Sequence, residues 1–206
     1  MFCETNKLSV IFYKINVLNE ISINIESGTT TVVMGKNGSG KSTLLRCINC
    51  LLNPTSGSLK HKFNNPFPML FQKPALFQNT IQYNFEVLCK IRKIKPHMKW
   101  YQSFRLDKIS KKKINEVSGG EKQQTYLSRI MSVDPEVIIM DEPNQNLDNE
   151  NNQKFVELIL DEKKKNKTII FALHDKDIVK YVADKIIMLD QGNVIFDGVL
   201  KNFLKL

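Results

Sequence analysis

Apolar and polar positions along the chain first follow the two-residue period of strands and later alternate between strand and helix patterns. Residues 8–13 form an apolar, β-favouring run, and Ile21, Ile23 and Ile25 alternate with polar residues, which predicts a strand with one buried face. Residues 29–34 form a β-branched run suited to a buried strand. Further β-branched runs, separated by helix-spaced segments, occupy 137–140, 168–173, 185–189 and 193–196. This alternation predicts an α/β fold with a mostly parallel sheet and helices on its faces.

The middle of the chain lacks obvious strands after Leu76. Its apolar residues recur at helical intervals, namely Ile81, Phe85, Leu88, Ile91 and Ile94. We therefore predict one domain over residues 1–206, with a core at about 1–76 and 132–206 and a small helical subdomain at about 77–131.

Composition narrows the class of protein only moderately. Of the 206 residues, 42% are hydrophobic and 25% charged, which disfavours disordered, collagen-like and disulfide-scaffold classes. No stretch approaches the roughly 18 consecutive apolar residues of a membrane-spanning helix, and Glu4 lies where a signal peptide has its apolar core. We therefore expect a chain that neither crosses a membrane nor is exported. The four cysteines are scattered, and Cys47 and Cys50 fall in a predicted helix, so we expect buried or neutral thiols in a reducing cytosol.

The net charge of +9 is concentrated in one segment. Residues 90–113, the basic stripe, hold ten basic residues and one acidic residue, whereas the rest of the chain balances at 20 basic and 20 acidic residues. Three interpretations stay open for it: a solvated helical face, a surface near anionic lipid, or a nucleic-acid-binding surface. A solvated face is the most frequent of the three.

A glycine-rich segment follows the run at 29–34 and fits the phosphate-binding pattern GxxxxGK[ST]. Phosphate oxygens bind backbone N–H groups only where a loop curls tightly, which glycines permit. A helix with apolar spacing to Leu52, ended by Asn53 and Pro54, follows the loop and directs its N-terminal dipole at the anion. Lys41 adds positive charge, and the Ser42 hydroxyl can ligate Mg²⁺. The predicted nucleotide-binding residues are Gly35, Lys36, Asn37, Gly38, Ser39, Gly40, Lys41, Ser42 and Thr43.

Two adjacent carboxylates, Asp141 and Glu142, end the apolar run at 137–140. Buried and unpaired carboxylates are costly unless a cation or a reaction uses them, and successive strand residues point to opposite sides. The pattern therefore predicts different tasks: Asp141 holds Mg²⁺ through its water shell, and Glu142 orients and deprotonates the attacking water. The alternative, two acids in a surface turn, is disfavoured by the phosphate loop upstream.

Further motifs resemble those of ABC-type ATPases and occur in that family's order. The segment Ser118-Gly119-Gly120-Glu121-Lys122-Gln123 is similar to the LSGGQ signature. Gln72, in a segment that includes Pro74, matches the Q-loop glutamine. Asp148, in Asn146-Leu147-Asp148, matches the D-loop aspartate, and His174 matches the switch histidine.

The resemblance covers about residues 8–198, and its departures are mild. Val117 replaces the usual leucine, Glu121 the usual glutamine and Gln124 a common arginine, and none of these groups acts on phosphate, metal or water. The resemblance implies a P-loop NTPase fold of ABC type, with a mostly parallel sheet core, an N-terminal antiparallel β region and a small helical subdomain.

The resemblance also implies roles for the matching residues. Two copies would bind head to tail around two ATP molecules, so that each phosphate loop faces the signature of the other copy. Gln72 would sense Mg²⁺ and the attacking water, His174 would hydrogen-bond the γ-phosphate, and Asp148 would join the two halves. Phe12 or Tyr13 would stack on adenine. The residues that would contact the ATP of the second copy are Ser118, Gly119 and Gly120.

Lys41 and Asp141 are 100 positions apart, and the chain resembles separate ATP-binding subunits, most often of bacterial importers. This implies ATP hydrolysis with Mg²⁺, a second ATP-binding subunit, membrane-spanning permease subunits, a substrate-binding protein, and a location on the cytoplasmic face of the cell membrane, with no nucleic acid partner. The segment 71–84 is similar to importers of tungstate, molybdate and phosphate, and to some metal and amino-acid systems. The alternative is a soluble ABC-type ATPase that acts on nucleic acid or a macromolecular assembly through the basic stripe.

Overall fold

β-Branched runs and amphipathic segments form two sheets and the helices around them. The computed structural model describes residues 1–61, 63, 66–73 and 75–205. The strands in these residues are β1 (Cys3–Phe12), β2 (Ile15–Ile21), β3 (Asn24–Ile25), β4 (Thr30–Met34), β5 (Ser56–His61), β6 (Met69–Leu70), β7 (Val137–Asp141), β8 (Thr168–Ala172), β9 (Lys185–Asp190) and β10 (Asn193–Val199). The α-helices in the same residues are α1 (Lys41–Ile48), α2 (Ile81–Arg92), α3 (Lys99–Ser103), α4 (Gly119–Met131), α5 (Asn149–Lys164), α6 (Lys176–Val182) and α7 (Leu200–Phe203).

A six-stranded sheet in the order β10-β9-β4-β8-β7-β6 forms the centre of the protein. β4 is parallel to β8 and β9, and β7 is parallel to β8 and β6, whereas β10 is antiparallel to β9. The neighbours β4, β8, β7 and β6 therefore end at one edge, and the chain leaves them toward the phosphate loop, His174, Glu142 and Gln72 in turn. Because the carboxyl ends of parallel strands meet there, four distant sequence segments converge. The predicted α/β fold with a mostly parallel sheet is confirmed.

Alternate residues of the parallel strands enter two apolar cores, one on each face of the sheet. Val32, Ile138 and Phe171 belong to the first core, with side chains of α2 to α6. Val33 and Ile139 belong to the second, with α1 and the N-terminal strands. Every residue of β4, β7 and β8 is buried, which explains why these strands have continuous apolar runs and not an alternating pattern.

The N-terminal strands form a separate sheet in which β1 pairs antiparallel with β2, β3 and β5, as the family resemblance implied. The prediction of one strand through Ile21 and Ile25 was wrong. Ile21 ends β2 opposite Leu8, and Ile25 lies in β3 opposite Cys3. The sequence did not indicate β5 either, because Leu59 is its single apolar side chain and its pairing with β1 defines it.

The helix after the phosphate loop is shorter than its apolar spacing predicted. α1 ends at Ile48, and Cys50 takes a left-handed conformation with φ of 54°. Cys47 is therefore buried on the helix, as expected, whereas Cys50 lies beyond it, partly buried, with its Sγ 2.6 Å from Nε2 of His61. The expectation that both cysteines lie on one helix was wrong.

Helical spacing in the middle of the chain is only partly used for packing. Thr80 caps α2 by accepting from the N–H of Tyr83, and the helix ends at Arg92. Ile81 and Phe85 are buried, whereas Ile91 is 72% exposed and Ile94 lies beyond the helix. Among the helices of the described residues, none is long and apolar enough to cross a membrane.

Trp100, the single tryptophan of the chain, connects α3 to α5. Its ring is fully buried and lies edge-on to Phe155 of α5. Its Nε1 donates to Oε1 of Glu162 at 3.3 Å. The carboxylate of Glu162 also accepts from the ammonium groups of Lys165 and Lys167, at 3.1 and 2.8 Å. A buried, charged hydrogen-bond cluster therefore joins α3 to α5 and the residues that follow α5.

Candidate functional site

The phosphate loop leaves β4 and begins α1 through conformations that glycine adopts readily. Gly35 has φ of 142°, and a Cβ there would lie 2.2 Å from the carbonyl oxygen of Leu189. Gly40, which precedes α1, has φ of 103°, and a Cβ there would lie 2.8 Å from the carbonyl oxygen of Val17. Larger residues at these two positions would displace the backbone around them. The loop shape therefore depends on its glycines, as the sequence pattern predicted.

Lys41 lies across the loop and contacts the backbone of its own segment. Its ammonium group donates to the carbonyl oxygens of Gly35 and Lys36 at 2.9 and 3.1 Å, and the residue is 5% exposed. Burial lowers the pKa of Lys41, while the nearby carboxylates of Glu142 and Asp141 oppose that shift. The ammonium group is thus a positive charge held beside the loop, where an anionic ligand could exchange for the two carbonyl contacts.

Asp141 ends β7 as a carboxylate that is only 2% exposed. Burial raises its pKa, and a hydrogen bond from the Ser42 side chain opposes that shift. Its Oδ1 is fully buried and has no hydrogen-bond partner among the described residues. Carboxylate and hydroxyl oxygens are the donors that Mg²⁺ prefers, and Mg²⁺ uses one or two protein ligands together with water and substrate phosphates. The orphaned oxygen and the Ser42 hydroxyl therefore fit a Mg²⁺ site.

Glu142 follows Asp141 in a left-handed conformation, with φ of 51°, and its N–H donates to the carbonyl oxygen of Ala172. Its side chain has two partners from neighbouring strand ends. Gln72 Nε2 donates to Oε2 at 3.0 Å, and His174 Nε2 lies 2.6 Å from Oε1. Three residues separated by up to 102 positions in the sequence thus form one hydrogen-bonded cluster.

A cavity of about 370 Å³ opens between the phosphate loop and this cluster. Its lining residues are Val17, Asn37, Gly38, Gly40, Lys41, Ser42, Thr43, Gln72 and Glu142. Val17 is not among the predicted site residues. It lies on β2, and its carbonyl oxygen packs beside Gly40, a contact that the sequence does not indicate. The lining combines backbone N–H donors, one ammonium group and one carboxylate, a chemistry that suits a polyphosphate and an attacking water.

The other predicted site residues lie outside the lining of this cavity. Phe12 ends β1, and Tyr13 lies in the following turn with its side chain 99% exposed. Pro74, quoted with the glutamine segment, lies outside the described residues. The N–H of Ser39 donates to the carbonyl oxygen of Lys36, so these two residues form a turn within the phosphate loop.

The signature segment forms the N-terminus of α4, and none of its residues lines the cavity. Ser118 caps the helix: its Oγ accepts from the N–H of Glu121, and its own N–H donates to the Glu121 carboxylate. Glu121, the departure from the usual glutamine, therefore completes a reciprocal cap at the helix N-terminus. Gly119 and Gly120 pack beside Asn146, whose carbonyl oxygen would lie 3.0 Å from a Cβ on Gly120.

Asp148, the predicted D-loop aspartate, caps α5. Its Oδ1 accepts from the N–H of Asn151 at 2.8 Å. The side chain is exposed on the same loop that packs against the signature glycines. Signature and D-loop residues therefore share one exposed region of this chain.

Comparison with known proteins agrees with this arrangement. The family described as ABC transporter matches residues 18–145. The chain is 31% identical to an uncharacterized ABC transporter ATP-binding protein of Methanocaldococcus jannaschii, covering 88% of this chain and 80% of that protein. It is 29% identical to the arginine transport ATP-binding protein ArtM of Bacillus subtilis (97% and 92% covered) and 27% identical to a phosphonates import ATP-binding protein of Nostoc (89% and 81% covered).

Solved structures share the fold. An ATP-binding subunit of an ABC transporter superposes with a TM-score of 0.89 at 21% identity, covering 100% of this chain and 92% of that one. A dimeric ATP-binding cassette bound to ADP and Pi superposes with a TM-score of 0.83 at 24% identity, covering 96% and 98%. The fold is that of an ABC cassette, and together with the matched family and relatives it shows that the chain belongs to the ABC transporter family, as one of its ATP-binding proteins.

Proposed function

We propose that this chain is the ATP-hydrolysing subunit that energises transport of a solute through separate membrane-spanning partner subunits. The observation that carries the proposal is Glu142, fixed by Gln72 and His174 at the end of the cavity that the phosphate loop closes. A carboxylate beside a phosphate-binding loop is placed to take a proton from a water that attacks the γ-phosphorus.

Different residues of the cavity would bind the triphosphate and activate the attacking water. Lys41 and the loop N–H groups bind the triphosphate, and the ammonium group offsets charge on the outer phosphates. Glu142 accepts a proton from the attacking water, whose oxygen bonds to the γ-phosphorus as the bond to the β–γ bridging oxygen breaks. Each carboxylate oxygen retains a lone pair beyond its bond to Gln72 or His174, so the water can be bound without releasing either.

Asp141, Ser42 and Gln72 would hold Mg²⁺. When bound, the ion would offset negative charge on the outer phosphates. The orphaned oxygen of Asp141 supports this assignment.

A second ATP-binding subunit would complete each site. Ser118, Gly119 and Gly120 are exposed or half-buried at the N-terminus of α4, where free N–H groups favour an anion from another molecule. Asp148 lies on the adjoining loop and would join the two copies.

We further propose that the chain forms one ABC-type domain with a helical subdomain at about 77–131. We also propose that Phe12 or Tyr13 stacks on adenine.

We infer the partners from the names of relatives. Three relatives are named as ATP-binding proteins of arginine transport, phosphonates import and sulfate/thiosulfate import. A transport role would place this chain on the cytoplasmic face of the cell membrane, beside permease subunits and with a substrate-binding protein. Its cargo would be a small solute of the oxyanion or amino-acid kind.

Two substitutions test the proposal. Glu142→Gln should lower turnover about 100-fold or more while ATP still binds and the closed dimer accumulates. Lys41→Ala should weaken ATP binding itself. Glu157→Gln, an exposed glutamate of α5, is the matched control and should leave turnover unchanged. Undiminished hydrolysis in Glu142→Gln would contradict the assignment of the base.

The exposed residues 90–95 of the basic stripe favour the alternative of a nucleic-acid-associated ATPase. Phosphate contacts lose affinity steeply as salt increases. Duplex DNA that binds with such a salt dependence and stimulates hydrolysis would support the alternative. Stimulation by co-expressed membrane-spanning subunits, without any effect of DNA, would support transport.

A further inference from the structure

Two buried side chains of α4 hold the backbone on either side of Gln72. Arg129 Nη2 donates to the carbonyl oxygen of Ala75 at 2.8 Å. The hydroxyl of Tyr126 accepts from the N–H of Phe71 at 3.4 Å. The segment that carries Gln72 is therefore attached to the helix one residue before the glutamine and three residues after it.

Arg129 is an unusual group to bury for structure alone. The residue is 7% exposed, and no carboxylate pairs with it among the described residues. Burial lowers the pKa of Arg129, and charge and a side-chain hydrogen bond with Tyr126 oppose that shift. Its guanidinium also lies 4.5 Å from the centre of the Tyr126 ring. The contacts with Tyr126 and the hydrogen bond to the carbonyl oxygen of Ala75 therefore compensate for desolvating the charge, and they fix the guanidinium beside the glutamine segment.

The same helix also holds the loop of Glu142. Gln123 is buried, and its Nε2 donates to the carbonyl oxygen of Pro143, the residue after Glu142, at 2.8 Å. Gln123, Tyr126 and Arg129 recur every three residues, which places them along one side of α4. Both members of the Gln72–Glu142 hydrogen bond are therefore attached to one rigid element, whose N-terminus is the signature segment.

We propose that Arg129, supported by Tyr126, is a positioning residue that sets Gln72 against Glu142 and so couples this site to the signature end of α4. The inference rests on the proposed ATPase function and names residues that the sequence motifs do not assign. A movement of the signature helix when a second copy binds would shift the glutamine segment with it, because the attachment is to side chains of the helix.

The test is Arg129→Met, which keeps length and apolar volume but removes the donor, alongside Arg129→Lys and Tyr126→Phe. We expect Arg129→Met to lower kcat about tenfold to a hundredfold, the effect of misplacing a catalytic contact by about an ångström, with KM for ATP unchanged. Arg129→Lys should recover most of the loss, because its ammonium group retains a cation and a donor. Lys201→Met replaces an exposed cation of α7 outside the basic stripe, and as the matched control it should not change kcat.

A double-mutant cycle with Gln72→Ala separates positioning from general support. If Arg129 acts through Gln72, adding Arg129→Met to Gln72→Ala should lower kcat no further. Losses that multiply, or a KM that rises in parallel with the fall in kcat, would overturn the proposal. Should Arg129→Met fail to fold, the same cycle with Tyr126→Phe applies, since it removes one hydroxyl. Failure of the proposed function would instead appear as a wild-type chain without ATP hydrolysis or an active Glu142→Gln.

Discussion

Glu162 allows a quantitative test of the cluster that joins α3 to α5. The carboxylate is fully buried and bound by Lys167, Lys165 and Trp100. Glu162→Gln keeps the shape and one hydrogen-bond acceptor but leaves the ammonium group of Lys167, itself 10% exposed, with the half-exposed carboxylate of Asp134 as its remaining counter-charge. Breaking a buried ion pair by removing one partner costs about 3 kcal/mol at the lower end of the usual range. We take the lower end because Lys167 keeps its ion pair with Asp134 and because Lys165 is 41% exposed and remains hydrated.

The pH dependence gives a second check on the same group. Burial raises the pKa of Glu162, but hydrogen bonds and charge from Lys167 and Lys165 outweigh it, so the pKa lies below its usual value of 4.5. A lowered folded-state pKa means that the stabilisation is present above the unfolded pKa and is lost as pH falls through the folded pKa. The stability difference between wild type and Glu162→Gln should therefore be full at neutral pH and shrink in acid.

Trp100 supplies the assay, because it is the single tryptophan and its Nε1 donates to Glu162. Unfolding in urea followed by its fluorescence should show a lower midpoint with an unchanged slope. In a thermal scan the loss corresponds to roughly 6 to 12 °C for a chain of this size. Glu157→Gln on the same helix is exposed and should stay within about 0.5 kcal/mol of wild type. A loss for Glu162→Gln that equals the control, or that does not change with pH, would refute the reasoning.

Three further predictions concern the site and the basic stripe. Gly35→Ala should abolish ATP binding in calorimetry, because the new Cβ would meet the carbonyl of Leu189 at 2.2 Å; retained binding would contradict the loop geometry. His174→Ala should lower single-turnover hydrolysis about 100-fold through loss of its contact with Glu142, and an unchanged rate would remove His174 from the reaction. Replacing the exposed lysines at 111–113 by glutamine should reduce recovery with anionic vesicles several-fold; unaltered recovery would exclude the lipid interpretation.

The parts of the fold that depend on local pattern could be predicted from the sequence. The buried strands β4, β7 and β8 appear as continuous β-branched runs, because both of their faces are covered. β5 could not be predicted, since its residues are mostly polar and only pairing with a distant strand forms it. The division between β2 and β3 has the same origin: Ile21 and Ile25 face different parts of β1.

The candidate site follows the same rule. The phosphate loop, Asp141 and Glu142 could be found because their chemistry requires particular residue types at fixed spacing. Gln72 and His174 needed family resemblance, since a lone glutamine or histidine has no local signal. Arg129 could not be predicted, because its role depends on a carbonyl oxygen of Ala75, and backbone atoms leave no mark on sequence composition.

The sheet order has a consequence for which changes the protein can tolerate. Adjacent strands are about 4.8 Å apart, so the strand order β4-β8-β7-β6 places the phosphate loop, His174, Glu142 and Gln72 at regular intervals along the carboxyl edge. Insertions in the loops far from that edge leave this spacing unchanged. A single residue inserted within β7 would turn Asp141 to the opposite face, so one added amino acid would do more damage to the site than many added elsewhere.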